Sequence, residues 1–195
     1  APEKIIASDP LPDRLQTLHG RYGVRTTTDN LAAARAGKIT ILSVKPQSLA
    51  TILPDIRAGL DADSLVLSIV AGSPINVIRR GLGIEKIIRA MPNTPGQVGQ
   101  GMTVWTATEA VDELGRQQAQ AILGALGKEI YVGEEGYLDM ATALSGTGPA
   151  YVFMFMEALI DAGVHMGFSR RIAQELVYQT IEGSVAIARA SGTHP

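Results

Sequence analysis

Through the first two-thirds of this chain, short runs containing β-branched residues alternate with helical spacings, and beyond that only helical spacings continue. Residues 4–7, 24–27, 39–44, 64–70, 85–91, 101–107 and 128–132 are predicted strands. Between them, residues 10–19, 29–36, 46–58, 74–80 and 110–126 place apolar side chains at helical intervals, with Pro or Asp near several starts and Gly near several ends. This is how a parallel sheet covered by helices reads in sequence: an α/β, doubly wound parallel sheet. After Gly133 the strand signal stops. Residues 138–144, 149–166 and 170–190 read as helices, the last with a stripe of Ile172, Leu176, Val177, Ile181, Val185 and Ala188. The helix before it is apolar almost all round, except for Glu157, Asp161 and His165 at successive i,i+4 steps. Such a helix needs cover on most sides, and in a small domain a second subunit is the expected source. The charged line is either an acid-base set or a solvated stripe, and the stripe is the better reading.

Composition narrows the classes. A chain of 195 residues, 46% of them hydrophobic, can bury a real core in one domain or two small ones. A net charge of -2, with acids and bases mixed throughout, offers no broad basic surface for nucleic acid or anionic lipid. The absence of cysteine removes disulfides, thiol nucleophiles and thiolate metal sites. His19, His165 and His194 are scattered without ligand spacing, so no metal site is expected. The apolar stretch 150–156 meets Glu157 short of a membrane span and no cleavable signal pattern opens the chain, so a cytoplasmic protein is expected.

Open parallel sheets bind ligands beyond the carboxyl ends of their strands, which makes the strand ends the candidates. Ser8-Asp9-Pro10 comes first: Asp9 there favours a free ribose 2′-hydroxyl, while Arg14, a turn further on, could compensate toward a 2′-phosphate. Ser43-Val44-Lys45-Pro46 and Ser68-Ile69-Val70-Ala71-Gly72-Ser73 follow. Next is RAMPNTPG, Arg89 to Gly96, in which Pro92 and Pro95 hold Met91 and Thr94 out of the helical region and leave a rigid segment displaying amide and hydroxyl groups. Each alone is an ordinary turn; together they resemble the floor of a cofactor site. Lys45 could be a catalytic amine, but Pro46 opens a helix behind it and makes the backbone the more natural ligand group. In Leu144 to Tyr151, Pro149 suits a first helical turn and Thr147 or Gly148 its cap, either a plain helix start or a place for an anion such as a carboxylate. No GxGxxG occurs, and the GxG at Gly81 and Gly83 reads as a helix end.

ILSVKP, SIVAGS, RAMPNTP followed by GQGMTVW, and ALSGTGPAYVF, in this order, resemble pyrroline-5-carboxylate reductase over essentially all 195 residues. The resemblance implies a Rossmann-like dinucleotide-binding domain over 1–133 and a helical dimerisation and substrate domain over 134–195. It implies reduction of 1-pyrroline-5-carboxylate to L-proline with NADPH or NADH, and a homodimer that can build a larger ring. By the same resemblance Asp9 and Asn30 lie at the adenosine end of the cofactor, and Val44, Lys45, Pro46, Val70 and Ala71 line it. Asn93 and Pro95 border the nicotinamide and substrate space, and Glu135 lies close to the bound imino acid. The family places a strand and Gly-rich phosphate loop before the position of Ala1 and a substrate-gripping loop after that of Pro195. The expectation is therefore an internal portion of the enzyme, inactive by itself. Alternatives from other classes are a related imine or hydroxy-acid reductase and a non-catalytic dimerisation module. An iminium already attracts hydride, so orientation, water exclusion and carboxylate anchoring carry the chemistry, and no general acid is named.

Overall fold

The structure is a computed structural model and describes residues 2–192 and residue 194. Ala1 and Pro195, the outer limits of the expected domains, lie outside the described residues, as does Thr193. The chain divides into two compact units, residues 1–146 and 147–195.

In the first unit, a 3-10 turn (Pro2–Lys4) leads into β1 (Ile6–Ser8), α1 (Pro12–Tyr22), β2 (Arg25–Thr27), α2 (Asn30–Ala36), β3 (Ile39–Leu42) and α3 (Pro46–Gly59). Then come β4 (Leu65–Ser68), α4 (Ile75–Leu82), β5 (Ile87–Met91), a 3-10 turn (Thr94–Val98), β6 (Gly101–Ala107), α5 (Glu113–Gly124), β7 (Gly127–Tyr131) and α6 (Gly136–Ala141). β1 and β2 pair in parallel as a ribbon, and the other strands form a sheet in the order β3-β4-β5-β6-β7. Alternate residues of the central strands feed opposite faces. Val66 and Ile87 join Leu49, Leu53, Ile56, Ile78 and Leu82 of α3 and α4, whereas Leu65, Leu67, Ile88 and Ala90 join Trp105 and Ala119 and Leu123 of α5. Each large side chain buried this way contributes about 1.5–3 kcal/mol, and the period of two along β4 and β5 is what makes the sheet wound on both faces.

The helix boundaries have local causes. Asp29 accepts from the Ala32 N–H to cap α2, and Asp112 accepts from the Gly115 N–H to cap α5, so α5 starts at Glu113 rather than at residue 110. Gly23 and Gly83 close α1 and α4 in the left-handed region, at φ of 67° and 68°.

The expected all-parallel sheet needs one correction. β5 and β6 run antiparallel, with Met91 opposite Val104 and Ala90 opposite Trp105. Their connection, residues 92–100, holds only the 3-10 turn, and a parallel pair needs a crossover of a dozen residues or more. The helix expected over 138–144 also differs. α6 ends at Ala141 and widens into a π turn, Thr142–Gly146, in which the Thr142 hydroxyl donates to the Leu138 carbonyl and the Ser145 hydroxyl to the Ala141 carbonyl.

The second unit pairs α7 (Gly148–His165) with α8 (Arg170–Ser191), whose start Ser169 caps through the Ile172 N–H. Gly163 and Ala173 meet so closely that a Cβ on Gly163 would lie 2.9 Å from that of Ala173. Few side chains are covered: Tyr151, Phe153, Met154, Phe155, Leu159, Leu176 and Tyr178 are all exposed. Glu157, Asp161 and His165 are exposed as well, and Asp161 pairs with Arg170 at 2.7 Å, as a solvated stripe would. The run Gly136–His165 is long and apolar enough, by length and composition, to cross a membrane, which the stretch 150–156 alone was not.

Candidate active site

The suspected strand ends gather on one edge of the first unit. After β1, Asp9 Oδ1 accepts the Leu11 N–H at 2.8 Å, and its Oδ2 lies 3.5 Å from Arg14 Nη1, so the charge that would repel a 2′-phosphate already has a cation beside it. Ser8 Oγ donates to Asn30 Oδ1 at 2.8 Å, fixing the first residue of α2 against β1. A groove of about 440 Å³ runs between β1 and β3; its walls are mostly apolar, with Ile6, Ile39, Ile41 and Ile52 among them, while Ser8, Asn30 and Ser43 are among its polar members and it reaches Val44. Lys45 and Pro46, both exposed, open α3 just past it, and no side chain caps that helix start. The polar groups at these strand ends, with the uncapped start of α3, offer hydroxyl, amide and backbone N–H donors to a ligand.

Past β4, Ser68 Oγ accepts the Val70 N–H, and Gly72 turns at a φ of 67° with open space where a side chain would stand. Val70 itself is buried in the core at 2% exposure, with its N–H on Ser68 Oγ and its carbonyl accepting the Ser73 N–H, whereas Ala71 is exposed. Neither joins the groove between β1 and β3.

Asn93 and Pro95 stand beyond β5, both half-buried. The Asn93 amide is spent as a staple: Oδ1 accepts the Met102 N–H at 2.9 Å, and Nδ2 donates to the Ser145 carbonyl at 3.0 Å. RAMPNTPG is thus held between β6 and the π turn. A second staple lies one turn of strand earlier. Arg89, 4% exposed within β5, donates to Glu135 at 2.7 Å and to Asp139 at 3.2 Å, and the same Glu135 Oε1 accepts the Ile75 N–H at 2.7 Å. Glu135 therefore joins the middle of β5 to the start of α4, supplying from 60 residues away the N-terminal cap that Pro74 cannot. Sequence reasoning passed over Arg89. Its signal was a single charge inside the otherwise apolar strand Ile87–Met91. In the second unit, Thr147 precedes α7 without a side-chain cap and Pro149 occupies its first turn, as expected.

Residues 135–195 match a family profile described as pyrroline-5-carboxylate reductase dimerisation, and residues 1–72 match one described as NADP oxidoreductase, coenzyme F420-dependent. A pyrroline-5-carboxylate reductase from Synechocystis is 41% identical over 195 residues, covering 100% of this chain and 72% of that protein. The chain belongs to the pyrroline-5-carboxylate reductase family. The reductase from Coxiella burnetii has a solved structure that superposes with a TM-score of 0.89 at 33% identity, covering 100% of this chain and 76% of the other. That of the Plasmodium falciparum enzyme, which has NADP bound, superposes with a TM-score of 0.87 at 33% identity, covering 97% and 69%. Membership in the pyrroline-5-carboxylate reductase family sets the activity class, an oxidoreductase of proline biosynthesis that draws on NAD(P)H. It disfavours the alternatives, a related imine or hydroxy-acid reductase and a non-catalytic dimerisation module.

Proposed function

We propose that the strand-end edge is where this chain holds NADPH or NADH and reduces 1-pyrroline-5-carboxylate to L-proline. The adenosine end falls to Asp9 and Asn30, the middle to Val44, Lys45, Pro46, Val70 and Ala71, and the nicotinamide end to Asn93 and Pro95. The carrying observation is that two polar staples fix the strand-end edge around β5: Asn93 ties the segment after it to the start of β6 and to the π turn, and Glu135 ties Arg89 to the start of α4. Bound there, the reduced nicotinamide supplies the hydride. The chain's own residues bind, orient and exclude water, which for an already electrophilic iminium accounts for most of the rate. Glu135 suits the imino acid: Oε1 is held by the scaffold while Oε2 has neither of those partners, and a carboxylate oxygen accepts an iminium or amine N–H well. No side chain is assigned as general acid.

The dinucleotide-binding part is proposed to span 1–133 and the dimerisation and substrate part 134–195. The exposed apolar faces of α7 and α8 are read as covered by a second copy rather than by lipid, in a cytoplasmic homodimer that can extend to a larger ring, with no nucleic-acid partner. The test is oxidation of NADPH and of NADH by the complete enzyme with pyrroline-5-carboxylate, followed by nicotinamide absorbance. Substrate-dependent turnover supports the reading; cofactor binding with no turnover on this imine overturns it.

A further inference from the structure

A guanidinium buried in a central strand is a poor device for stability alone, because exchanging a buried ion pair for apolar side chains is often neutral or stabilising. It is a good device for aiming carboxylates, since its planar fork fixes both the distance and the direction of what it binds. Arg89 is such a group: its side chain is 5% exposed, and both carboxylates it grips lie nearer solvent, Glu135 at 33% and Asp139 at 74%. Nη1 takes Glu135 Oε1, and Nη2 takes Asp139 Oδ1.

We propose that Arg89 is a positioning residue for the reaction: with the Ile75 N–H it clamps one oxygen of Glu135 and leaves the other to accept from the ring nitrogen of the imino acid. The proposal rests on the assignment of Glu135 to the imino acid made above. Two donors on one oxygen suppress rotation of the Glu135 terminus, so its rotamer freedom is surrendered on folding and not again on substrate binding. Because Glu135 would meet the bound imine and not the hydride donor, losing its fixed orientation should raise KM for the imine more than it lowers kcat.

The complete enzyme carrying Arg89→Met, Arg89→Lys, Glu135→Gln or Arg89→Met with Glu135→Gln is compared with the unmodified enzyme by imine kinetics and by NADPH titration. Arg89→Met is expected to raise the imine KM by roughly tenfold or more, the scale of one charge-assisted contact. The NADPH dissociation constant should stay within about twofold, and adding Arg89→Met to Glu135→Gln should change little. Should Arg89→Met not fold, Arg89→Lys decides: a lysine cannot hold both carboxylates in a fork, so the imine KM rises several-fold with cofactor affinity kept. A parallel loss of NADPH affinity, an unchanged imine KM in the arginine variants, or effects that multiply in the double variant overturn the proposal. If Glu135→Gln leaves the imine KM unchanged, the assignment of Glu135 has failed and the proposal goes with it. If Glu135→Gln raises KM and Arg89→Met does not, only the role of Arg89 has failed.

Discussion

Replacing Asn93 by alanine tests whether the edge is rigid because of one amide. Asn93 makes two contacts that reach across sequence, to the Met102 N–H at 2.9 Å and the Ser145 carbonyl at 3.0 Å. Each neutral hydrogen bond is worth about 0.5–1.5 kcal/mol net, and a half-buried donor left without a partner adds a further penalty, so Asn93→Ala should cost about 2–4 kcal/mol locally. At about 1.4 kcal/mol per factor of ten, the Met102 amide should exchange with solvent roughly 30- to 700-fold faster. Hydrogen exchange resolved to the peptide containing Met102 reads this directly in the complete enzyme, with turnover and cofactor affinity expected to fall alongside. Asn93→Asp sharpens the argument. It keeps an acceptor for Met102 but sets a carboxylate oxygen against the Ser145 carbonyl, so the Met102 amide stays protected while the π turn loosens. That repulsion raises the new carboxyl's pKa in the folded protein, so the folded state binds more protons, and stability lost at neutral pH returns as pH falls. Unchanged Met102 protection and unchanged turnover in Asn93→Ala would show that the staple is incidental.

Gly127 sits at a φ of +136°, and a Cβ there would lie 2.4 Å from the Gly101 carbonyl oxygen, so Gly127→Ala should cost about 3 kcal/mol or more and lower the melting temperature markedly; a melting curve that overlays the parent's would contradict this. Phe153, 58% exposed beside Met154 on α7, should be covered in the dimer, so Phe153→Asp should shift sedimentation toward the single-chain mass, and an unshifted species would place the interface elsewhere. The Asp63 hydrogen bond and charge raise the Lys86 amine above its ordinary value, so this pair stabilises the fold below that value and the contribution fades as pH rises through the raised one. Asp63→Asn should therefore melt slightly lower than the parent at about pH 8 and converge with it above about pH 11; a gap that widens in alkali would refute the sign.

The local rules could be read directly from the chain. Gly23 and Gly83 close their helices, Asp29 and Asp112 open theirs, and the apolar runs of β4 and β5 are buried on both faces because every residue in them is apolar or small, Arg89 excepted. The family was legible as well, because RAMPNTP and SGTGPAY carry it in a few adjacent residues. Three features depended on contacts between distant segments, where sequence spacing is silent. The direction of β6 was set by how little chain connects it to β5, the π turn by two hydroxyls reaching back one turn, and the partners of Arg89 and Asn93 by residues 46 and 52 positions away. Propensity and periodicity act over a few residues, whereas a buried charge or amide must find its partner wherever packing brings one. The sequence by itself therefore determined which strand ends form the candidate site, and tertiary structure alone decided which side chains there are committed to the scaffold and which remain available to a ligand.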